Sequence, residues 1–162
     1  MKQIIFFIII FSSAWVKAEE PILDKKAHKE VFKYFSNENL HFSEINELSN
    51  KSELFFNIID NKQEIGTLVL SSAMGRFDKF DYMVIYNKDL EIEFIKILVY
   101  RSDYGSEITA KKWLSQFYKK KNANFKYGDD IQAISGATLS ANSLTENIHR
   151  ITTLILDFSN KQ

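Results

Sequence analysis

The chain has 162 residues, a hydrophobic fraction of 45% and an aromatic fraction of 14%, which suit one modest domain and exclude whole-chain disorder. The formal net charge is zero and no basic stripe is present, so no nucleic-acid partner is predicted. The absence of cysteine excludes disulfides, thiolate metal sites and cysteine nucleophiles.

The first 18 residues have the pattern of a secretory signal peptide. Lys2 supplies a positive start, an apolar run follows over residues 4–11, and Val16-Lys17-Ala18 offers small or short residues to a signal peptidase. The alternative is a membrane anchor, but the apolar run is short for a span of about 20 residues. We therefore expect cleavage after Ala18 and a periplasmic or otherwise extracytoplasmic protein without a lipid anchor.

Residues 19–52 are predicted to form an N-terminal helix followed by an irregular segment. Asp24 is predicted as the N-cap of a helix over residues 24–35. The helix signal is an apolar residue at every fourth position: Ala27, Val31 and Phe35. Residues 36–52 are polar and rich in Asn and Ser, which indicates a loop or irregular segment.

Strand signals dominate the middle of the chain. Four apolar or alternating runs are predicted as strands: residues 54–59, 65–70, 80–86 and 92–100. Residues 71–78 contain Gly75 and are predicted to be a loop, and the other connections are short turns such as Asp60-Asn61-Lys62. Short turns between consecutive strands indicate an antiparallel meander.

Helical signals return in the last part of the chain. An amphipathic helix is predicted over residues 106–118 from apolar residues at i, i+3, i+4 and i+7: Ala110, Trp113, Leu114 and Phe117. After a polar loop over residues 119–134, a last helix carries an apolar stripe: Leu144, Ile148, Ile151, Ile155 and Phe158. This order predicts a single α+β domain with a four-stranded antiparallel sheet and helices packed on it, its main part spanning residues 53–162.

The strongest chemical signal is the segment Ile134-Ser135-Gly136-Ala137-Thr138-Leu139-Ser140, just before the last helix. Small residues let the backbone approach a ligand, and the first amides of a helix favour an anion. The three hydroxyl groups of the segment also suit a phosphate. The alternative is structural, because Ser and Thr are ordinary N-caps and Ser143 with Glu146 has the spacing of a capping box.

The run Ser135–Ser140 resembles the flavinylation motif of the FMN-binding domain family, which includes the flavin subunits of sodium-pumping NADH:quinone reductase and of Rnf-type complexes. Residues 100–108 look like the family's strand-end segment with its glycine, and residues 113–117 look like the helix that follows. In that family a separate flavin transferase, using FAD and a magnesium ion, joins FMN to the motif threonine by a phosphoester bond. The resemblance therefore implies covalent FMN on Thr138.

One position departs from the family's pattern. The family usually has an acidic residue three positions before the motif serine, and this chain has Gln132 there. Asp129 and Asp130 lie just upstream but out of register. The departure counts against modification, though less than a change of Thr138 would.

The predicted cofactor-binding set combines the motif with the end of the last strand: Ser135, Gly136, Ala137, Thr138, Leu139, Ser140, Tyr100, Arg101, Tyr104 and Gly105. Tyr100, Tyr104 and Leu139 are assigned to the flavin ring, with core or cap packing as the alternative. Arg101 is assigned to the phosphate or a ring carbonyl, with a solvated strand end as the alternative. No catalytic residue is predicted, and no metal site either, because the three histidines lack ligand spacing.

Three functions follow from these observations. A covalent-FMN carrier would take electrons from a membrane-bound donor and pass them to an extracytoplasmic acceptor, and the covalent bond would keep the flavin from diffusing away after export. An enzyme would reduce a small substrate with bound FMN, although no acid or base is predicted beside the ring. A non-flavin binding module would use the motif only as a helix cap. The electron-transfer module is the prediction.

Overall fold

The computed structural model of the protein describes residues 23–120 and 124–161, so the predicted signal peptide, residues 1–18, lies outside the described residues. The elements follow in chain order: α1 (Lys25–Phe35), β1 (His41–Glu44), β2 (Leu54–Asp60), β3 (Gln63–Met74), β4 (Lys79–Asn87), β5 (Ile92–Val99), a first 3-10 turn (Ser106–Thr109), α2 (Lys111–Leu114), a second 3-10 turn (Ser115–Phe117) and α3 (Thr138–Ser159). None of the helices within these ranges is both long and apolar enough to cross a bilayer.

The strands form one antiparallel sheet in the order β1-β2-β3-β4-β5. Between β2 and β3, Asn61 and Lys62 have φ values of 47° and 67°, the left-handed conformation of a two-residue hairpin turn. The α+β class and the single domain are confirmed, but the sheet has five strands rather than four. The strand that was not predicted, β1, is only 4 residues long and has one buried side chain, Phe42, so its alternation is too short to stand out from residues 36–52.

Helices cover both faces of the sheet. The side chains of β4 alternate between the two faces, as the period of a strand requires. Tyr82, Val84 and Tyr86 face the larger cluster beneath α3 and the helical turns, whereas Met83 and Ile85 face the cluster beneath α1. The sheet therefore supports a hydrophobic core on each side, and the motif-bearing helix lies over the larger one.

The first and last helices confirm the periodic signals in the sequence. In α1, Ala27 and Val31 are fully buried, and Asp24 occupies the N-cap position, although its side chain makes no cap hydrogen bond. In α3 the predicted stripe is buried at four positions: Leu144, Ile148, Ile151 and Ile155. Its last member, Phe158, is half-buried.

The continuous helix predicted over residues 106–118 is wrong. Ala110 is extended, with φ −65° and ψ 120°, and separates the first 3-10 turn from α2. Its carbonyl accepts hydrogen bonds from the backbone nitrogens of Trp113 at 3.0 Å and Leu114 at 3.1 Å, so a new helix starts there. The apolar period identified the buried face, because Trp113, Leu114 and Phe117 are all buried, but it carries no information about this backbone break.

Strand β3 also exceeds its prediction. It continues to Met74, so the loop predicted over residues 71–78 begins only at Gly75. Ser71 and Ala73 are buried in this part of the strand, on the side that α3 covers. Small side chains leave room for the helix, and they also give the sequence the composition of a loop.

A polar network fastens α3 to the sheet. Glu53 is only 8% exposed and accepts hydrogen bonds from Ser71 Oγ at 3.1 Å and from both terminal nitrogens of Arg150. Nearby, the hydroxyl of Tyr82 donates to Asn147 Oδ1 at 2.6 Å. Burial by itself raises the pKa of Glu53, but the hydrogen bonds and charge of Arg150, together with hydrogen bonds from Ser71 and Asn50, outweigh it and hold that pKa below its usual value. The network therefore contains a charged carboxylate in the folded state.

Arg150→Met is expected to lower the free energy of unfolding by about 2 kcal/mol at neutral pH. Removing one partner of a buried ion pair costs roughly 3–5 kcal/mol, and the loss is smaller here because the Arg150 side chain is 46% exposed. The lowered pKa of Glu53 makes the pair stabilising above the unfolded pKa, and this stability is lost as the pH falls through the folded pKa. Urea unfolding should therefore show the difference between variant and wild type shrinking below about pH 4.3.

The matched control is Arg101→Met, which removes the partner of Asp81 from a more exposed ion pair. That variant should lose clearly less free energy of unfolding than Arg150→Met, because a solvent-exposed ion pair contributes little. Equal losses in the two variants, or a loss in Arg150→Met that does not change with pH, would contradict the role assigned to the Glu53 carboxylate.

Candidate functional site

The predicted motif lies where α3 begins. Ser135 and Gly136 form a turn, Ala137 is the N-cap and Thr138 is the first helical residue. Gly136 has φ +87°, a conformation that residues with a side chain rarely adopt. Thr138 is exposed, so its hydroxyl is not sealed in the core.

The first amides of α3 have no side-chain acceptor within the described ranges. Ala137 has no side-chain oxygen to accept from them, and the first turn of the helix contains no acidic residue. Ser143 lies inside the helix, where its Oγ accepts a hydrogen bond from Met74 N at 3.0 Å, so the capping box predicted for Ser143 and Glu146 is wrong. The open amides and the helix dipole together favour an anion beside Thr138.

A cleft of about 210 Å³ opens beside this helix start. Its lining comes from the motif, from the segment after β5 and from the turn between β3 and β4: Gly136, Ala137, Thr138, Leu139, Ser140, Tyr104, Gly105 and Arg76. All of these residues except Arg76 belong to the predicted cofactor-binding set. The fold thus brings three segments that are distant in sequence to one concave surface.

Tyr100 supports the cleft without lining it. Its hydroxyl donates to the carbonyl oxygen of Tyr104 at 2.7 Å and lies 2.9 Å from Ser140 Oγ, so it joins the segment after β5 to the start of α3. Gly105 lies between them with φ +88°, and a Cβ added there would be 2.5 Å from the Tyr100 hydroxyl. This side of the cleft therefore has its shape only because residue 105 is glycine.

Residues 75–153 match the family model of the FMN-binding domain. This part of the chain is an FMN-binding domain. The match includes every residue that lines the cleft, confirms the resemblance of the motif and supports flavin binding. A search of curated proteins found no match for the chain.

Besides Tyr100, two residues of the predicted set do not line the cleft of the FMN-binding domain. Arg101 Nη1 donates to Lys79 O at 2.9 Å, and Arg101 Nη2 is paired with the carboxylate of Asp81 on the neighbouring strand. Burial raises the pKa of Asp81, but the hydrogen bonds from Arg101 and Ser72 outweigh it and leave that pKa below its usual value. Arg101 is therefore engaged on the sheet, while Ser135 is exposed in the turn that precedes the lining residues.

The backbone of Gln132, just before the motif, is anchored by two hydrogen bonds. Trp113 Nε1 donates to Gln132 O at 2.8 Å, and Gln132 N donates to Gln116 Oε1 at 2.8 Å. Gln132 is exposed, and both hydrogen bonds use its backbone. The departure from the family's acidic residue therefore leaves this anchor intact and changes only a side chain that faces solvent.

Arg76 is the lining residue that the sequence did not reveal. No motif singles it out, and the sequence predicts only a loop for its segment. The turn from Gly75 to Asp78 nevertheless lies against the start of α3, since a Cβ added to Gly75 would be 3.4 Å from Ser140 Oγ. This contact depends on how α3 packs on β3, so no local signal could have located it.

The lining suits part of an FMN molecule. Thr138 offers a hydroxyl, the start of α3 offers open amides, and Arg76 is the one charged residue among those that line the cleft. The volume of about 210 Å³ is below the roughly 300–1,000 Å³ of typical small-molecule pockets, so the cleft suits the phosphate end better than the whole flavin. Tyr104 and Leu139 are 62% and 60% exposed at its rim, where they present apolar surface to a ring.

Proposed function

We propose that the protein is an exported flavoprotein that carries FMN in phosphoester linkage to Thr138 and serves extracytoplasmic electron transfer. One observation carries the proposal: Thr138 is exposed at the first position of α3, inside a cleft of the FMN-binding domain and beside open helix amides. A phosphate held there would meet the partial positive charge of the helix start.

The attachment we propose is a transfer from FAD, made by a separate flavin transferase with a magnesium ion. Thr138 Oγ1 forms a new bond to the phosphorus on the FMN side of FAD, the pyrophosphate bond breaks, AMP leaves and the hydroxyl proton is released. A threonine hydroxyl is a weak nucleophile without activation, so the transferase would have to supply the base. The transferase must also be able to reach the hydroxyl, and Thr138 is exposed. An exposed acceptor at a helix start meets that requirement.

Electron transfer is favoured over substrate reduction by the composition of the cleft. A flavin supplies the redox chemistry itself, and the protein holds and orients it. Among the described residues, the cleft lining itself contains no carboxylate or histidine, and its one phenol, Tyr104, is 62% exposed at the rim. The nearby Glu107 carboxylate lies against Gly136 but does not line the cleft. We therefore propose a membrane-bound electron donor and an extracytoplasmic electron acceptor as partners.

The test is expression of the full chain with a flavin transferase, followed by a denaturing gel under ultraviolet light and intact mass analysis of the exported protein. A fluorescent band and a mass gain of one FMN less one water are expected. A dark band from a yellow native protein would favour a non-covalent FMN reductase. Colourless protein would favour a binding module that uses the motif only structurally.

A further inference from the structure

We infer that Arg76, in the turn between β3 and β4, is the residue that binds the phosphate of the flavin; this inference rests on the proposed function. Arg76 lines the same cleft as Thr138, and the other lining residues are uncharged. Among the residues that line the cleft, Arg76 is therefore the only one whose charge could neutralise a bound phosphate.

The contacts of the three arginines in the chain distinguish Arg76 from the others. Arg101 is paired with Asp81 and Arg150 with Glu53. Within residues 23–120 and 124–161, the Arg76 side chain has no ion pair or hydrogen bond, and its guanidinium lies 5.2 Å from the centre of the Phe77 ring. A guanidinium carries five donors that match phosphate oxygens, and here all of them are available to a ligand.

The position of the turn also suits a phosphate ligand. Gly75 N donates to Asp78 O at 2.9 Å, which closes the turn that carries Arg76. Met74 N donates to Ser143 Oγ at 3.0 Å, which ties the end of β3 to α3. The base of the Arg76 side chain is therefore fixed beside the helix start, while the guanidinium is free to meet a ligand there. Charge from the side chain and amides from the helix would act on the same phosphate.

The experiment compares FMN with riboflavin, which differ only by the phosphate. Thr138→Ala prevents covalent attachment, and in that background quenching of flavin fluorescence gives the dissociation constant of each flavin. Arg76→Gln is expected to weaken FMN binding roughly 10- to 100-fold, as for loss of a charge-assisted hydrogen bond, and to leave riboflavin unchanged. Lys88→Gln, in the turn between β4 and β5, removes a cation that lies near Phe158 and Ser159 at the opposite end of α3, and it should change neither value.

A second measurement uses the intact acceptor. With Thr138 present, Arg76→Gln should slow the appearance of the fluorescent band in the presence of transferase and FAD, whereas Lys88→Gln should not. Equal effects of Arg76→Gln on FMN and riboflavin, no effect on either, or a phosphate-specific loss in Arg101→Gln instead would each overturn the inference. So would a lack of FMN binding in the Thr138→Ala background. In each of these outcomes the proposed function still stands if the wild-type protein carries covalent FMN. The proposed function fails only if the wild-type protein carries none.

Discussion

Thr138→Ala is expected to reduce the covalent flavin of the exported protein to background. The proposed bond requires the Thr138 Oγ1 atom, and the variant removes that atom together with the Cγ2 methyl group. Because Thr138 is exposed, the substitution should change the free energy of unfolding by less than about 0.5 kcal/mol. In-gel fluorescence, intact mass and urea unfolding on the same preparation would therefore separate loss of the acceptor from loss of the fold.

Two further variants sharpen this result. Thr153→Ala removes another exposed threonine of α3, whose Oγ1 donates to His149 O at 3.0 Å, and it should be flavinylated like the wild type. Thr138→Ser keeps a hydroxyl at the helix start and should retain part of the modification. If Thr138→Ala stays fluorescent on a denaturing gel, the flavin is attached elsewhere, and Ser135 and Ser140 would be the residues to examine by peptide mass mapping.

The sequence predicts best those features of the fold that depend on residues close together in the chain. Alternating side chains and short turns specify the meander from β2 to β5, because strand period and hairpin geometry involve neighbouring residues only. The small residues around Gly136 likewise mark a turn that leads into a helix. For the same reason, most of the residues that line the cleft could be predicted from one contiguous motif.

The sequence was least informative where a residue's role depends on distant contacts. The sequence predicts that Arg101, at a strand end, faces the ligand, yet the pairing of β4 with β5 places Asp81 opposite Val99 and so beside Arg101. Arg76 lies far from the motif in sequence and reaches it only because α3 packs on β3. Strand register and helix packing decide whether Arg76 or Arg101 faces a ligand. A local sequence pattern shows neither the register nor the packing.

Gly105→Ala is expected to destabilise the protein by about 3 kcal/mol and to lower flavin loading. An L-residue at φ +88° is strained by roughly 1–2 kcal/mol. The added methyl group would also lie 2.5 Å from the Tyr100 hydroxyl, which must then move away from Tyr104 O and Ser140 Oγ. Each lost hydrogen bond adds about 1 kcal/mol. The loss of loading follows because Ser140 belongs to the first turn of α3, the turn that begins with Thr138.

Gly128→Ala separates backbone strain from crowding. Gly128 has φ +89°, but a Cβ added there would meet nothing within 4 Å, so this variant should lose only about 1–2 kcal/mol and keep its flavin. A double-mutant cycle then identifies the atom responsible. In a Tyr100→Phe background the nearest obstacle to the Cβ of residue 105 becomes Ser140 Oγ at 3.1 Å, and Gly105→Ala should cost about 1–2 kcal/mol less than in the wild type. If the two substitutions were simply additive, the hydroxyl of Tyr100 would not be what makes glycine necessary at this edge of the cleft.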